Sequence, residues 1–451
     1  MNNIYNDFRI MHPIFIYENF KIKETENSFI VRFLFKIDSY SFEPTLEIAK
    51  KYINNISVTN EGIENIIFHI GLIELVSYWK CACCPKIIIN AGFINDEQIT
   101  WLKKLYFYGL GEFFYLNNIN PDFETFMLIE VNKNAKHYFK SNFIVNDEYL
   151  LPIGGGKDSI VSLKLLEKNK NKISPFILNP RGASLDSAIT AGYNESQIIV
   201  AKRTIDKQLI ALNQQGYLNG HTPFSSLLAF VTLLISALSG KKYIILSNED
   251  SANEPTVANT KINHQYSKSV EFEDDFNLYV NKYITNSIKY FSFLRPLNEL
   301  TITRLFSNYK EFYKVFKSCN VGSKTNSWCG KCPKCLFVYI MLSAFINEDE
   351  LVNIFGRNLL DDEDMANDFE KLTGISSVKP FECVGTTLEV NVALSVYFKK
   401  LKSENKYIPK LITFWENTLK NKPTEAEISN TLNYFNNNHN IPKELLDCIN
   451  V

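Results

Sequence analysis

Apolar runs broken by single charged residues mark "SFIVRFLFKID" (Ser28–Asp38), a short stretch rich in aromatic and β-branched types that reads as a strand. From Gly62 to Lys80, in "GIENIIFHIGLIELVSYWK", the apolar positions recur at helical spacing instead. "DEQITWLKKLYFYGLGEFFYLNN" (Asp96–Asn118) opens with acids, which a helix N-terminus favours. Its aromatics, Tyr106, Phe107, Tyr108, Phe113, Phe114 and Tyr115, suit core packing better than the lining of a ligand cleft. Residues 1–143 read as an α+β region, a candidate substrate-binding part.

From Glu148 the rhythm changes to short apolar runs alternating with helical stretches. "EYLLPI" (Glu148–Ile153) is a strand. "DSIVSLKLLEKNK" (Asp158–Lys170) is a helix with Ile160, Val161, Leu163, Leu165 and Leu166 largely inward. "KISPFIL" (Lys172–Leu178), "SQIIVAKR" (Ser196–Arg203) and "KKYIILSNED" (Lys241–Asp250) are further strands, with a long helix over Thr222–Ser239. This alternation predicts an α/β fold with a parallel, doubly wound sheet over residues 144–391. Residues 392–451 read as a polar helical extension. Its Asn-rich piece, "NYFNNNHN" (Asn433–Asn440), carries no assigned function, and there is no internal repeat.

Composition narrows the class. Apolar residues make up 45% and charged residues 22% of 451 positions, as in soluble globular proteins. Lysine plus arginine (48) nearly cancel aspartate plus glutamate (49), for a net charge of −1. A nucleic-acid partner would favour a basic excess, so none is expected. The longest apolar run, "FSSLLAFVTLLISAL" (Phe224–Leu238), is broken by serines and a threonine. It is shorter than the roughly 20 residues of a membrane span, so a buried helix is expected and no membrane. The N-terminus lacks the pattern of a signal peptide. Nine clustered cysteines without an export signal point to a reducing, cytoplasmic setting rather than disulfides. Oligomeric state is not legible.

Candidate chemistry begins at "PIGGGKDS" (Pro152–Ser159). A Walker A loop needs glycine where Leu151 stands and a hydroxyl residue where Asp158 stands, and the dinucleotide fingerprint needs glycine at Ser159. What remains is a strand entering a glycine run at a helix start. Consecutive backbone N–H groups of Gly154, Gly155 and Gly156 can converge on an anion, and the helix N-terminus adds partial positive charge. Lys157 supplies a mobile cation, Ser159 a hydroxyl donor, and Asp158 a helix cap or a ligand for Mg²⁺. A plain turn would need positive φ at one or two glycines, fewer than are present.

Cys319, Cys329, Cys332 and Cys335 are spaced C-x9-C-x2-C-x2-C, which suits four thiolates on one tetrahedral ion. Zinc is the first choice and a [4Fe–4S] cluster the rival. "CACC" (Cys81, Cys83, Cys84) has no comparable partners and reads as buried small hydrophobes. Further polar stretches are "NGHTPFSSL" with Asn219 and His221, "LSNEDSAN" with Asn248 and Glu249, and "NHQYSKSVEFE" with His264, Gln265, Ser267 and Lys268. "FSFLRPLNEL" adds Arg295 and Glu299, and "KPFECVG" adds Glu382 and Cys383. Alone, each reads as a cap, a surface polar group or a satisfied core residue.

The glycine loop resembles that of the ATP-pyrophosphatase (PP-loop) superfamily, usually Ser-Gly-Gly-x-Asp-Ser. Gly155, Gly156, Asp158 and Ser159 match, and Gly154 replaces the serine. Taken in order, "PIGGGKDS", "NGHTP", "SNE", "NHQYSKS", "RPLNEL", the cysteines, "FGRNLLDD" and "KPFECVG" resemble one family within it. That family is the UDP-N-acetyl-α-D-muramoyl-L-alanyl-L-glutamate epimerases of peptidoglycan precursor synthesis. A similar cysteine pattern closes the zinc site of PP-loop enzymes that build deazapurine nitriles.

The resemblance implies a cytoplasmic PP-loop enzyme that inverts the terminal L-glutamate of UDP-MurNAc-L-Ala-L-Glu with ATP and Mg²⁺, releasing AMP and pyrophosphate. It implies ATP contacts from Gly154–Ser159, Asn248 and Glu249. Lys157, Asp158, Cys383, Glu382, His221 and His264 are the implied catalytic candidates, Cys383 first for proton exchange. Lys268 and Arg295 are candidates for the substrate carboxylate or nucleotide phosphates. The alternative is another PP-loop adenylating enzyme, acting by amidation, nitrile formation or thiolation on a small molecule or tRNA.

Overall fold

The structure, a computed structural model, describes residues 3–54, 60–257 and 260–449. It is a mixed α/β chain with a large sheet and a helical C-terminal part. The strands are β1 (Ile14–Glu24), β2 (Ser28–Ile37), β3 (Tyr40–Phe42), β4 (Thr45–Ala49), β5 (Lys86–Ile89) and β6 (Leu128–Val131). They continue as β7 (Asn146–Pro152), β8 (Ile173–Leu178), β9 (Ile199–Thr204), β10 (Lys241–Leu246) and β11 (Lys289–Ser292). The chain forms two compact units, each assembled from separated segments. One comprises the chain up to Leu150, Ile199–Ile244 and Gln265–Tyr290; the other comprises Leu151–Ile198, Ile245–His264 and the chain from Phe291 onward.

In the first unit the hydrogen-bonded strand order is β6-β5-β1-β2-β4-β9. β1 pairs antiparallel with β2 and parallel with β5, which pairs parallel with β6. β4 pairs antiparallel with β2 and with β9. The predicted strand from Ser28 is β2, with Phe29, Val31, Phe33, Phe35 and Ile37 buried at every second position. It ends where Asp38 turns into positive φ, +48°. β7 and β10 pair in parallel through Tyr149 opposite Tyr243 and Leu150 opposite Ile244, as strand–helix alternation leads one to expect.

The helix Glu61–Trp79 is buried almost all round, capped by Asn60, whose side chain accepts from the Gly62 N–H. Gly71 lets it lie on β1: a Cβ there would fall 2.0 Å from the Tyr17 hydroxyl. The aromatic stretch forms two helices, Asp96–Gly109 and Gly111–Leu116, rather than one, because the chain departs from helical geometry at Leu110. Tyr106, Phe113 and Phe114 are buried, as core packing requires, while Tyr115 is 40% exposed. The apolar helix Phe224–Ser239 packs on Glu61–Trp79, and no described helix is long and apolar enough to cross a membrane.

In the second unit the helix after the glycine loop runs only from Lys157 to Leu165, and "EKNKNK" continues as a tighter 3₁₀ turn, Glu167–Lys172. Asn169 and Asn171 in this stretch favour helix weakly. The helix Glu299–Phe306 packs against Lys157–Leu165 and against the buried helix Pro333–Ser343, which also meets Thr387–Ser403. The C-terminal helices Lys410–Thr418, Glu425–Leu432 and Lys443–Leu446 follow.

Candidate active site

The loop from Gly154 to Gly156 joins β7 to the Lys157–Leu165 helix, and its three glycines differ. Gly155 sits at φ +88°, and a Cβ there would lie 2.6 Å from the Ala183 carbonyl carbon. Only glycine satisfies both demands. Its carbonyl accepts from the Lys317 N–H at 2.9 Å, fixing the loop. Gly154 is exposed, with open space around its missing Cβ. Gly156 is the helix N-cap, and no side chain caps this helix. Glycine at the N-cap brings no side chain to accept from the first turn, and a helix N-terminus of this kind suits an anion. Ser159 donates to the Gly156 carbonyl at 3.1 Å.

Lys157 is 3% exposed and its ammonium binds both Asp158 and Glu299. Burial opposes that charge, but Asp158 and Glu299 outweigh it and hold the lysine above its ordinary range. Burial pushes the Glu299 carboxyl up, against the pull of Lys157. Glu389 is also buried and pushed up by burial, with the Thr386 N–H opposing. Ser251 links these groups: its hydroxyl donates to Glu389 at 2.9 Å and accepts from the Glu299 N–H at 3.2 Å.

Ser251, Asn298, Thr386, Glu389 and Tyr434 help line a cleft of about 540 Å³ beside this network. The C-terminal region thus contributes to its wall, with Tyr434 donating to Asp250. Asn248, at the end of β10, donates to Ser292 at 3.0 Å. Arg295 is fully buried and donates to the Glu249 carbonyl at 2.7 Å, bracing the segment that carries Glu249.

Cys319, Cys329, Cys332 and Cys335 converge, with all four sulfurs within 4.8 Å of one another. The sulfur separations for Cys319–Cys332, Cys329–Cys335 and Cys332–Cys335 are 3.7, 3.7 and 3.5 Å. A tetrahedral ion with metal–sulfur bonds of about 2.3 Å needs edges of about 3.8 Å, so these residues fit a single ion. Cys332 is the N-cap of Pro333–Ser343, where helix amides favour thiolate. Hydrogen bonding from Cys335 holds the Cys332 thiol well below its usual range.

Two separated stretches meet this cysteine segment. Arg357 of "FGRNLLDD" donates to the Gly330 carbonyl at 2.9 Å and pairs with Asp362 at 2.5 Å. Asn320 donates to Glu382 at 2.8 Å, and Lys334 donates to the Cys383 carbonyl. Burial pushes Glu382 up, with Lys334 and His264 among the opposing charges.

The sequence candidates therefore divide. Gly154–Ser159, Asn248, Glu249, His264, Arg295, Glu382, Cys383 and the four clustered cysteines belong to the second unit, His221 and Lys268 to the first. His221 lies 3.4 Å from Glu112. Sequence reasoning missed Lys334, Glu389, Ser251 and Asn320 as parts of the site. Lys334 and Asn320 had a signal, since both adjoin metal-site cysteines; Glu389 and Ser251 had none beyond their unexpected burial.

Two family descriptions match in tandem: MurL N-terminal domain over residues 8–293 and MurL C-terminal domain over residues 315–427. UDP-N-acetyl-alpha-D-muramoyl-L-alanyl-L-glutamate epimerase of Xanthomonas oryzae pv. oryzae is 33% identical over 355 residues, 74% of this chain and 75% of the relative. Its namesake in Micromonospora sp. is 33% identical over 332 residues, covering 71% and 72%. That of Salinispora tropica is 32% identical over 336 residues, covering 71% and 70%. No solved structure gives a significant match. With the same family matched on both sides of residue 300 and a third of positions shared with such relatives, the chain belongs to the MurL family.

Proposed function

We propose that this protein is an ATP-dependent epimerase that inverts the terminal L-glutamate of UDP-MurNAc-L-Ala-L-Glu through carboxylate adenylation. Among the structural observations, one carries the reading: the uncapped Lys157–Leu165 helix behind a glycine loop, with Lys157 held at its first turn. The name shared by the relatives supports the substrate, and the motif order supports a PP-loop fold for the catalytic part, residues 144–391.

The chemistry explains why ATP is needed. An α-proton beside a free carboxylate is hard to remove, because the carbanion forms next to an existing negative charge. Adenylation neutralises that charge and creates an acyl group that delocalises the carbanion. Each pK unit gained is worth about 1.4 kcal/mol, so about five units lower the proton-transfer barrier by roughly 7 kcal/mol. Proton exchange on both faces and attack by water then give the epimer and AMP.

In this reading, Gly154–Ser159 hold the triphosphate, with Asn248 and Glu249 at the nucleotide. Asp158 is the loop carboxylate that would hold the Mg²⁺ accompanying ATP, which would supply positive charge against the nearby acids. Lys157 neutralises phosphate charge. Cys383 is the first candidate for proton exchange, with Glu382, His264 and His221 as the other acids and bases. Lys268 and Arg295 serve the substrate carboxylate or nucleotide phosphates, Arg295 through its hold on Glu249. Zinc suits the four thiolates and supplies a rigid, redox-inert staple. The reaction places the protein in the cytoplasm, where nucleotide-linked precursors and ATP are found.

The test is incubation of purified protein with ATP, Mg²⁺ and the L,L-dipeptidyl nucleotide in D₂O. AMP together with deuterium at the glutamate α-carbon is expected. AMP with a new amide, nitrile or sulfur product would reassign the chain to another adenylating reaction, and deuterium exchange without ATP would remove the loop from the mechanism. Cys383→Ala is expected to stop α-exchange while AMP still forms; exchange at the normal rate would clear Cys383.

A further inference from the structure

The segment carrying Glu382 and Cys383 is neither helix nor strand. Its own backbone supplies two short-range bonds: Glu382 N–H to the Pro380 carbonyl at 2.9 Å, and Val384 N–H to the Glu382 carbonyl at 2.9 Å. Such a segment takes its geometry from whatever braces it. At its start, the Lys379 N–H donates to the Thr256 carbonyl at 3.1 Å, and the Lys379 ammonium pairs with Glu254.

At its centre, both side-chain braces come from residues flanking the metal-site cysteines. Asn320 follows Cys319 in the chain and grips the Glu382 carboxylate. Lys334 lies between Cys332 and Cys335, is 7% exposed, and grips the Cys383 carbonyl. Its stem passes along Phe337, with the ammonium 5.1 Å from the ring centroid. The same ammonium acts electrostatically on Glu299, the partner of Lys157. With Cys332 and Cys335 on either side of it, the Lys334 backbone is tied to the geometry those two sulfurs share.

We propose that Lys334 is a positioning residue: it transmits the geometry of the four-cysteine centre to the Cys383 segment, so that the bound metal fixes the place of the reactive turn. The metal then does more than staple its own loop. Substitution of Lys334 detaches Cys383 while the ion stays bound, and removal of the ion detaches Cys383 while Lys334 stays intact. The consequence for turnover rests on the role proposed above for Cys383; the structural link does not.

The test treats the full chain, purified with its metal, with iodoacetamide. Alkylation of Cys383 is followed by peptide mass spectrometry, and metal content is measured on the same samples. Lys334→Met is expected to keep its metal and raise the alkylation rate of Cys383 about tenfold or more, the change produced by losing one charge-assisted hydrogen bond. Lys334→Arg is expected to return the rate toward wild type. Chelation of the wild-type metal is expected to raise the rate by a similar factor.

Cys383 alkylated at the wild-type rate in metal-loaded Lys334→Met overturns the link, as does chelation that leaves Cys383 as slow as before. Should Lys334→Met lose its metal, the chelation arm on wild-type protein decides in the same two directions. This readout uses neither nucleotide nor substrate, so it fails or succeeds independently of the adenylation reading. In turnover, Lys334→Met is expected to lower α-deuterium incorporation more than AMP formation; an equal fall in both counts against positioning.

Discussion

Two groups of cysteines in this chain have opposite fates. Cys81, Cys83 and Cys84, in the first unit, are completely buried. Burial pushes Cys81 up to about 12 and the other two higher still, so all three stay neutral thiols and act as small apolar side chains. Cys319, Cys329, Cys332 and Cys335, in the second unit, aim their sulfurs at one point, and hydrogen bonding from Cys335 pulls Cys332 down to about 5.

Buried ionisable groups occur in both units, and the first buries Glu74 against Arg203 as a pair. In the first unit, buried His69 is held by neutral partners, the Asn65 carbonyl at 2.8 Å and the Tyr279 hydroxyl at 3.0 Å. In the second, Lys157, Glu299, Glu389 and Lys334 bury charge side by side. Burying charge opposes folding, so a cluster of buried ionisable groups marks a site more readily than buried thiols do.

The sharpest way to break the comparison is to remove one sulfur. Cys335→Ser is expected to abolish stoichiometric metal binding and make the 319–335 segment sensitive to protease, since a structural zinc contributes on the order of 10 kcal/mol. Cys84→Ala is expected to leave metal content unchanged, and metal analysis of both variants is decisive.

Next in size is Lys157→Met, which leaves Glu299 buried without its cation. A loss of about 3–5 kcal/mol is expected near pH 8. An acid held above its unfolded value destabilises once the unfolded chain can ionise, so the loss shrinks as pH falls toward 5. Urea unfolding at the two pH values reads this, and AMP formation is expected to fall about a hundredfold or more.

His69 sharpens the other side. Burial lowers it from 6.5 to about 4, so the folded state stays neutral while the unfolded chain takes up a proton below pH 6.5. The stability this group contributes is complete above pH 6.5 and declines by about 3 kcal/mol as pH falls to 4. Hydrogen-exchange protection of peptides from the Glu61–Trp79 helix, taken relative to the intrinsic rate at each pH, should fall over that window. The smallest effect is expected of Cys84→Ala itself, about 1 kcal/mol for a deleted sulfur, read by thermal melting.

Much of the local structure was legible because it is written in short-range periodicity. Strand β2 follows from a short apolar stretch rich in aromatic and β-branched residues, the Glu61–Trp79 helix from helical spacing, and the Phe224–Ser239 helix from an apolar run too short to span a bilayer. Boundaries were less legible. The helix expected over Asp158–Lys170 is α-helical only to Leu165, and the aromatic stretch breaks at Leu110. Neither break has a proline to announce it; the weaker signals are Asn169 and Asn171 in the first stretch and Gly109 and Gly111 around the second.

The sequence by itself determined the cysteine spacing, the glycine run before a helix and the motif order that marks the family, because each is a matter of near neighbours along the chain. Only the tertiary structure decided that Gly155, not Gly154, is the obligatory glycine, since its limit is the backbone at Ala183. It alone decided that Lys157 meets Glu299, that Ser251 bridges Glu299 and Glu389, and that Lys334 reaches Cys383. Those partners lie tens to more than a hundred positions apart. Local propensity does not encode such pairings; they form when the helices and strand ends that carry them close around a shared core.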